Sequence, residues 1–409
     1  MWLLKRCDDI NPLFNFGESR YITNTCPVRS PARGKPTSPQ DLGGVTSNGM
    51  KTLREITYLK GKKVLLRVDF DVPVSDKGEI EEPFRIKKQK ETLDYLMDKG
   101  AEVIMIAHIS DESVHKSFVD IMPQLHLLLG YEVNFIKSIS EIGTYLEHYA
   151  GPALVENIRQ NEGEQKNDPE FAKQLANGFD LYINNDFAVC HRGHASVSAI
   201  TKLLPSYAGF VIEEEVAHLS KVIAAPKESK VIIIGGAKAS TKAPVIKNLI
   251  DKCEIVLTGG VVANDILKMR GQDMGSSVVD DNLQEIFMNL SLSDPKLIAP
   301  KDFIVFDNKI LDIGEETMRQ YIEMIEQAKM IVWNGPMGLF ENPVFAKGTN
   351  EIAQAIVNSS AVKIMGGGDT ISAVGNLGLL ERFDFVSTGG GAMLAYLSGE
   401  SLPGLEALK

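Results

Sequence analysis

Four times in the second half of this chain, a strand-length apolar run ends in two or three glycines: Gly235-Gly236, Gly259-Gly260, Gly366-Gly367-Gly368 and Gly389-Gly390-Gly391. A fifth run ends in Asn334-Gly335-Pro336. Short Val- and Ile-rich runs alternating with longer stretches of helical period predict a parallel sheet covered by helices. In such a sheet these turns lie at the carboxyl ends of the strands, where ligands bind. Glycine lets an anion approach the backbone, and the helix that follows offers free N–H groups and the positive end of its dipole. One such turn means little. Four in one half of a chain point to a polyphosphate ligand.

The same alternation runs through the first half. Strand candidates there are Val64 to Phe70, Val103 to Ala107, Ala153 to Val155 and Leu181 to Ile183, with helical patterns such as Lys87 to Lys99 and Pro169 to Ala176 between them. In the second half they are Val231 to Ile234, Ile255 to Thr258, Phe303 to Phe306, Met330 to Trp333, Val362 to Met365 and Phe385 to Ser387. A chain of 409 residues exceeds what one core usually serves. The expected fold is therefore α/β, with two doubly wound parallel-sheet (Rossmann-like) domains and a cleft between them. A Glu-rich segment of helical spacing, roughly 212 to 222, joins them as a helical connector. Boundaries are expected at 50–215 and 216–395.

Residues 1–49 are rich in Pro, Ser, Thr, Asn and Arg and show no helical or strand period. They read as a disordered leader or a mis-assigned start, with the folded part opening at Met50. An organelle-targeting peptide is the competing reading, opposed by Asp8, Asp9, Glu18 and Asp41. No apolar run approaches the roughly 18 residues of a membrane span. The formal charge of -11 argues against a general nucleic-acid binder. Four scattered cysteines, without metal-ligand spacing, fit a reduced cytoplasmic setting.

The common nucleotide fingerprints are missing: there is no G-x-x-x-x-G-K-[ST], no G-x-G-x-x-G opening a first strand–helix unit, and no protein-kinase signature. Side chains carry the nucleotide reading instead. Lys238 and Lys242 stand four apart beside a glycine turn, on one face of a starting helix, where ammonium groups can neutralise phosphate oxygens. Two solvated surface lysines are the bland alternative. Asp369 follows a phosphate-type turn and offers Mg²⁺ a hard oxygen ligand, or else simply caps a helix. Glu341 is placed to accept from a ribose hydroxyl.

Taken together, these features resemble the phosphoglycerate kinase family from about Lys51 to Leu408. The specific pieces are Arg67-Val68-Asp69-Phe70-Asp71-Val72-Pro73, Glu156-Asn157-Ile158-Arg159, His191-Arg192-Gly193-His194-Ala195-Ser196, Trp333 to Gly338, Gly366 to Thr370, Ser387 to Ala392, and the ending Leu402 to Leu408. The resemblance implies a monomeric, cytoplasmic enzyme of glycolysis and gluconeogenesis. It would move a phosphoryl group reversibly from 1,3-bisphosphoglycerate to ADP, giving 3-phosphoglycerate and ATP, with Mg²⁺, and would bind neither nucleic acid nor membrane. The first domain would hold the phosphoglycerate through Asp69, Phe70, Asp71, Arg85, His108, Asp111, Arg159 and Arg192. The second would hold the nucleotide through Lys242, Gly260, Asn334, Glu341, Gly367, Gly368, Asp369 and Thr370, with Asp369 on the metal. Arg85, Lys238, Lys242, Gly390 and Gly391 would act on the transferring group. The last residues, about 396–409, would return to the first domain.

The substrate half departs from the family pattern. His-Leu-Gly-Arg is here His108-Ile109-Ser110-Asp111, Asp-Phe-Asn is Asp69-Phe70-Asp71, and Asn-Asp-Ala-Phe is Asn184-Asn185-Asp186-Phe187. The first two changes make a pocket meant for a trianion three charges less positive, with His115 or Lys116 as substitute cations. A nucleotide-binding non-catalytic or regulatory relative, or a kinase for another small carboxylate, are the alternatives to a phosphoglycerate kinase.

Overall fold

The structure is a computed structural model that describes residues 49–110 and 115–409. The leader expected at 1–49 falls, but for Gly49, outside the described residues, and so does Asp111.

Two six-stranded parallel sheets carry the fold. The first contains β1 (Lys63–Arg67), β2 (Glu102–Ile106), β3 (Asn134–Ile136), β4 (Ala153–Val155), β5 (Leu181–Asn184) and β6 (Ser206–Ala208), in the order β3-β4-β2-β1-β5-β6. The second contains β7 (Lys230–Ile234), β8 (Ile255–Thr258) and β9 (Leu297–Ile298), then, beyond a hairpin of β10 (Phe303–Phe306) and β11 (Lys309–Ile313), β12 (Met330–Asn334), β13 (Val362–Gly366) and β14 (Phe385–Ser387). Its order is β14-β13-β12-β7-β8-β9.

Both sheets are covered on two faces, because successive strand side chains alternate sides. Val64 and Leu66 of β1 enter one core and Leu65 another; Ile232 and Ile234 of β7 enter one core and Val231 and Ile233 another. All are essentially inaccessible to solvent, so truncating any one to Ala costs about 2–5 kcal/mol.

Each order reverses at one point, and there a crevice opens beyond the strand ends. In the second sheet the reversal lies between β7 and β12, in register Ile234↔Asn334. Gly235 N–H donates to Asn334 O (3.0 Å) and Gly236 N–H to Pro336 O (2.9 Å), so the two turns touch backbone to backbone. A Cβ on Gly235 or Gly335 would collide with the facing turn. In the first sheet the reversal lies between β1 and β5, in register Arg67↔Asn184.

A helix, Phe210–Ala224, joins the two sheets as the sequence predicts. Its N-cap, Gly209, has no side chain to cap with, and Asn185 fills the space a Cβ would take. Thr92 Oγ1 accepts from Phe210 N–H (3.2 Å) and Asn185 Oδ1 from Val211 N–H (3.0 Å), satisfying two of the exposed helix donors. At the chain's end Leu402, Leu405 and Leu408 are buried with Phe187 and Cys190. Lys51 N–H donates to Leu408 O (2.9 Å) and Gly404 N–H to Cys190 O (2.8 Å).

One strand expectation needs correction. Phe303–Phe306 is not part of the parallel sheet; it pairs antiparallel with Lys309–Ile313. Asp307 and Asn308, both at positive φ (49° and 57°), form the two-residue turn that matches strand twist in a hairpin.

Candidate active site

The first reversal point gathers the acids and cations of the first lobe. Arg67, at the end of β1, is fully buried. Its Nη2 donates to His108 Nδ1 (3.1 Å) and lies 3.4 Å from Asp186 Oδ2. Because His108 Nδ1 accepts this bond, its proton sits on Nε2, which faces Asp71 Oδ2 at 3.5 Å. Burial, followed by the charges of Arg67, Arg159, Arg192 and Arg85, holds His108 well below the usual histidine range, so it is neutral. Asp71 also accepts from Ser110 N–H (2.8 Å). Arg85, in the first turn of the Phe84–Asp98 helix, donates to Asp71 O (2.8 Å), and its Nε is 3.7 Å from Asp69 Oδ2. Asp69 is buried, and burial pushes its carboxyl up to about 8 against the opposing pull of Arg85. Arg159 follows β4 and Arg192 stands exposed after β5, donating from Nε to His191 Nε2 (3.3 Å).

Between Asp69 and Asp71 the Phe70 ring is buried in the first-lobe core, edge-on to Phe118 with centroids 6.5 Å apart.

On the second sheet, the Ala239–Leu249 helix starts one residue later than the lysine spacing predicts. Lys238 is its exposed N-cap in extended backbone and does not share a helical face with Lys242. The two-glycine turn needs that extra residue to bring the chain round. Lys242 is no surface lysine: Nζ contacts Asn334 Oδ1, and burial, opposed by Asp369, lowers its pKa to about 8. Asn334 Nδ2 donates onward to Gly366 O (2.9 Å) and Gly390 O (3.5 Å), tying three glycine turns into one frame. Thr370 is buried, and its hydroxyl accepts from Gly335 N–H (2.7 Å), holding the β12 turn rather than pointing outward. Gly367 (φ 102°) caps the Gly368–Asn376 helix, so Asp369 lies inside the first turn and is not the cap. Its carboxylate makes no hydrogen bond or ion pair with a described residue; it faces Lys242 and lines the neighbouring cavity. A single hard oxygen left open beside a phosphate turn fits Mg²⁺, which takes one or two carboxylates plus phosphate oxygens. No group of three or more His, Cys, Asp or Glu able to hold a metal occurs among the described residues.

The sequence reading missed an apolar slot of about 170 Å³ next to Gly236 and Gly260, walled by Val278, Ile310, Leu311, Pro336 and Leu339. It has the flat apolar character a nucleobase requires. Phe303 and Ile310 to Ile313 of its wall come from the β10–β11 hairpin, so the signal was the unrecognised Asp307-Asn308 turn. Glu341 lies at its mouth, where it also borders a gap of about 1020 Å³ lined from both lobes.

The two lobes meet around this frame. A Cβ on Gly368 would sit 3.6 Å from Arg85 Nη2, one on Gly391 3.5 Å from the His191 ring, and one on Gly389 2.7 Å from Ala188 Cα. Arg85 from the first lobe and Lys242 from the second thus meet at helix N-termini of the second. Fold and site together define a two-lobed α/β phosphotransferase.

The phosphoglycerate kinase family model matches residues 53–400. The phosphoglycerate kinase of Herpetosiphon aurantiacus is 37% identical over 389 residues, covering 88% of this chain and 98% of the relative. That of Rubrobacter xylanophilus is 39% identical over 377 residues, 86% of this chain and 96% of the relative. Among solved structures, the phosphoglycerate kinase of Pyrococcus horikoshii superposes with a TM-score of 0.81 at 30% identity, covering 88% of this chain and 98% of that one. This chain belongs to the phosphoglycerate kinase family.

Proposed function

We propose that this chain transfers a phosphoryl group reversibly from 1,3-bisphosphoglycerate to ADP. The acyl phosphate P–O bond breaks, the 3-phosphoglycerate carboxylate leaves, and a P–O bond forms to the terminal oxygen of ADP. The observation that carries this reading is the meeting of Arg85, from the first lobe, with the Gly368 helix start of the second. A phosphoryl group passing between ligands on the two reversal points crosses that spot.

In this reading Arg85, Arg159, Arg192 and His108 bind the phosphorylated acid, with guanidinium forks matching its anionic groups. The apolar slot takes the base and Glu341 the ribose. N–H groups at the starts of the Gly368–Asn376 and Gly390–Ser398 helices, with Lys242 and the exposed Lys238, neutralise the transferring group. Gly260, at φ 58°, brings its turn within reach of Gly236. Asp369 would hold Mg²⁺, which supplies charge neutralisation at the phosphates. Phosphoryl transfer needs little beyond positioning and charge, and a closed cleft keeps water from the acyl phosphate.

The first domain would comprise 50–215 with the tail 396–409, and the second 216–395; the tail's hydrogen bonds to Lys51 and Cys190 support this division. A cytoplasmic monomer is part of the same reading. Both halves of the site lie in one chain, and no helix among the described residues is long and apolar enough to cross a membrane. The test is turnover of purified protein with ADP and 1,3-bisphosphoglycerate. Tight nucleotide binding without turnover would favour a non-catalytic relative.

A further inference from the structure

The first-lobe pocket holds more carboxylate than binding an anion calls for. We propose that the phosphorylated acid enters this pocket together with a proton, which is taken up by Asp69 or Asp186 beside the charge of Asp71. This inference rests on the proposed phosphoglycerate kinase reading.

The three acids come from the two turns that flank the first reversal point, Asp69 and Asp71 after β1 and Asp186 after β5. Asp69 Oδ1 accepts from Asp71 N–H (3.2 Å), which holds those two turn residues together. Asp186 reaches the same cluster from the other side: its Oδ2 is 3.4 Å from Arg67 Nη2 and 3.8 Å from His108 Nδ1. Both oxygens of Asp186, and Nε and Nη1 of Arg67, are buried without a hydrogen-bond partner. The family pattern has alanine where Asp186 stands, and its acid one residue earlier. Here that earlier position is Asn185, which turns away to Gln89 (2.7 Å) and the connecting helix.

Few cations remain uncommitted. From β1 comes Arg67, already shared between His108 and Asp186; from the Phe84–Asp98 helix comes Arg85, already on Asp71 O and beside Asp69. His108, after β2, is neutral. His191 and His194, after β5, are pushed down to about 4, chiefly by burial, and add no charge near neutrality. Glu164 faces Arg67 from its own helix, and Tyr182 of β5 stays protonated. Glu82 lies beside Arg85, while Lys116 is held at Ser110 O (3.3 Å). Arg159 and Arg192 complete the cations around the cluster, and the total is too little for a trianion beside these carboxylates. Protonating Asp69 or Asp186 is the least costly response. Like charges this close cannot all stay ionised once an anion joins them. Burial has already raised both Asp69 and Asp186, so the proton is nearly in place.

The sign of the effect is diagnostic. A phosphate gripped by arginines releases protons when it binds; carboxylates crowded by a new anion take them up. The experiment is calorimetric titration of the full chain with 3-phosphoglycerate at pH 8.5, in buffers of differing ionisation enthalpy. The expected result is net uptake of roughly half to one proton per ligand. Asp71→Asn keeps the acceptor for Ser110 N–H and should bind 3-phosphoglycerate at least about threefold tighter, with smaller uptake. Binding with zero uptake or net release would overturn the inference, and so would unchanged affinity in Asp71→Asn. The wild-type measurement stands whether or not a variant folds. If 3-phosphoglycerate binds neither protein, the kinase reading itself fails and the inference falls with it.

Discussion

The Glu215 carboxylate on the connecting helix accepts two hydrogen bonds from Thr388, one from its N–H (2.6 Å) and one from its hydroxyl (2.9 Å). This fastens the helix between the lobes to the turn that opens the Gly390–Ser398 helix. Burial raises Glu215 from 4.5 to about 7. Between those values the folded chain binds more protons than the unfolded one. The contribution to stability is therefore fully present below about pH 4.5 and is lost as pH rises through about 7. Glu215→Gln removes this titration but keeps an acceptor. Its stability relative to wild type should increase from pH 5 to pH 8, by on the order of 2–3 kcal/mol. A pH-independent difference would show that Glu215 does not titrate in that window.

Lys242→Ala should lower kcat by a factor of about 100 or more with little change in nucleotide affinity, because the ammonium serves charge that develops in transfer. Its pKa of about 8 in the ligand-free chain adds a pH signature. The cationic form is lost as pH rises, so kcat/KM for nucleotide should fall through pH 8. Steady-state kinetics from pH 6.5 to 9 check both points; a rise in KM alone would make Lys242 a ground-state contact.

Gly390→Ala and Gly391→Ala separate packing from mere sequence position. A Cβ on Gly390 would lie 2.5 Å from Gly367 Cα, backbone that cannot step aside, whereas one on Gly391 meets only the His191 ring at 3.5 Å. Gly390→Ala should cost at least about 2 kcal/mol of stability and most activity, and Gly391→Ala far less stability. Thermal melts and turnover of the two variants decide this.

The apolar slot gives a fourth expectation. Leu311→Ala removes part of the wall facing the base and should raise the KM for ATP about 5- to 30-fold, as about 1–2 kcal/mol of lost apolar contact implies. The KM for 3-phosphoglycerate should stay unchanged. Equal shifts in both would mean that Leu311 supports the fold rather than the nucleotide.

What the sequence disclosed follows from which interactions are local. Glycine turns and central strands such as Val231 to Ile234 are written in consecutive residues, and they stand where expected. Edge strands β3, β6 and β9 are two or three residues long and gave no signal. Phe303–Phe306 misled because four apolar residues in a row read as a buried strand, when three of them are exposed on a hairpin. Lys238 was misplaced by one helical residue, which spacing alone does not fix. The contact of Asp71 with Ser110 and that of Asp186 with Arg67 join residues 39 and 119 apart in sequence, and only the assembled sheet brings them together.

The central claim is that one chain carries both halves of a phosphoryl-transfer site. Its most direct test is turnover with ADP and 1,3-bisphosphoglycerate, read as ATP formed, for wild type beside Lys242→Ala. Wild type should turn over on the order of 10 times per second, and the variant about 100-fold or more slower. Nucleotide binding without ATP formation, or equal rates in the two proteins, would contradict it.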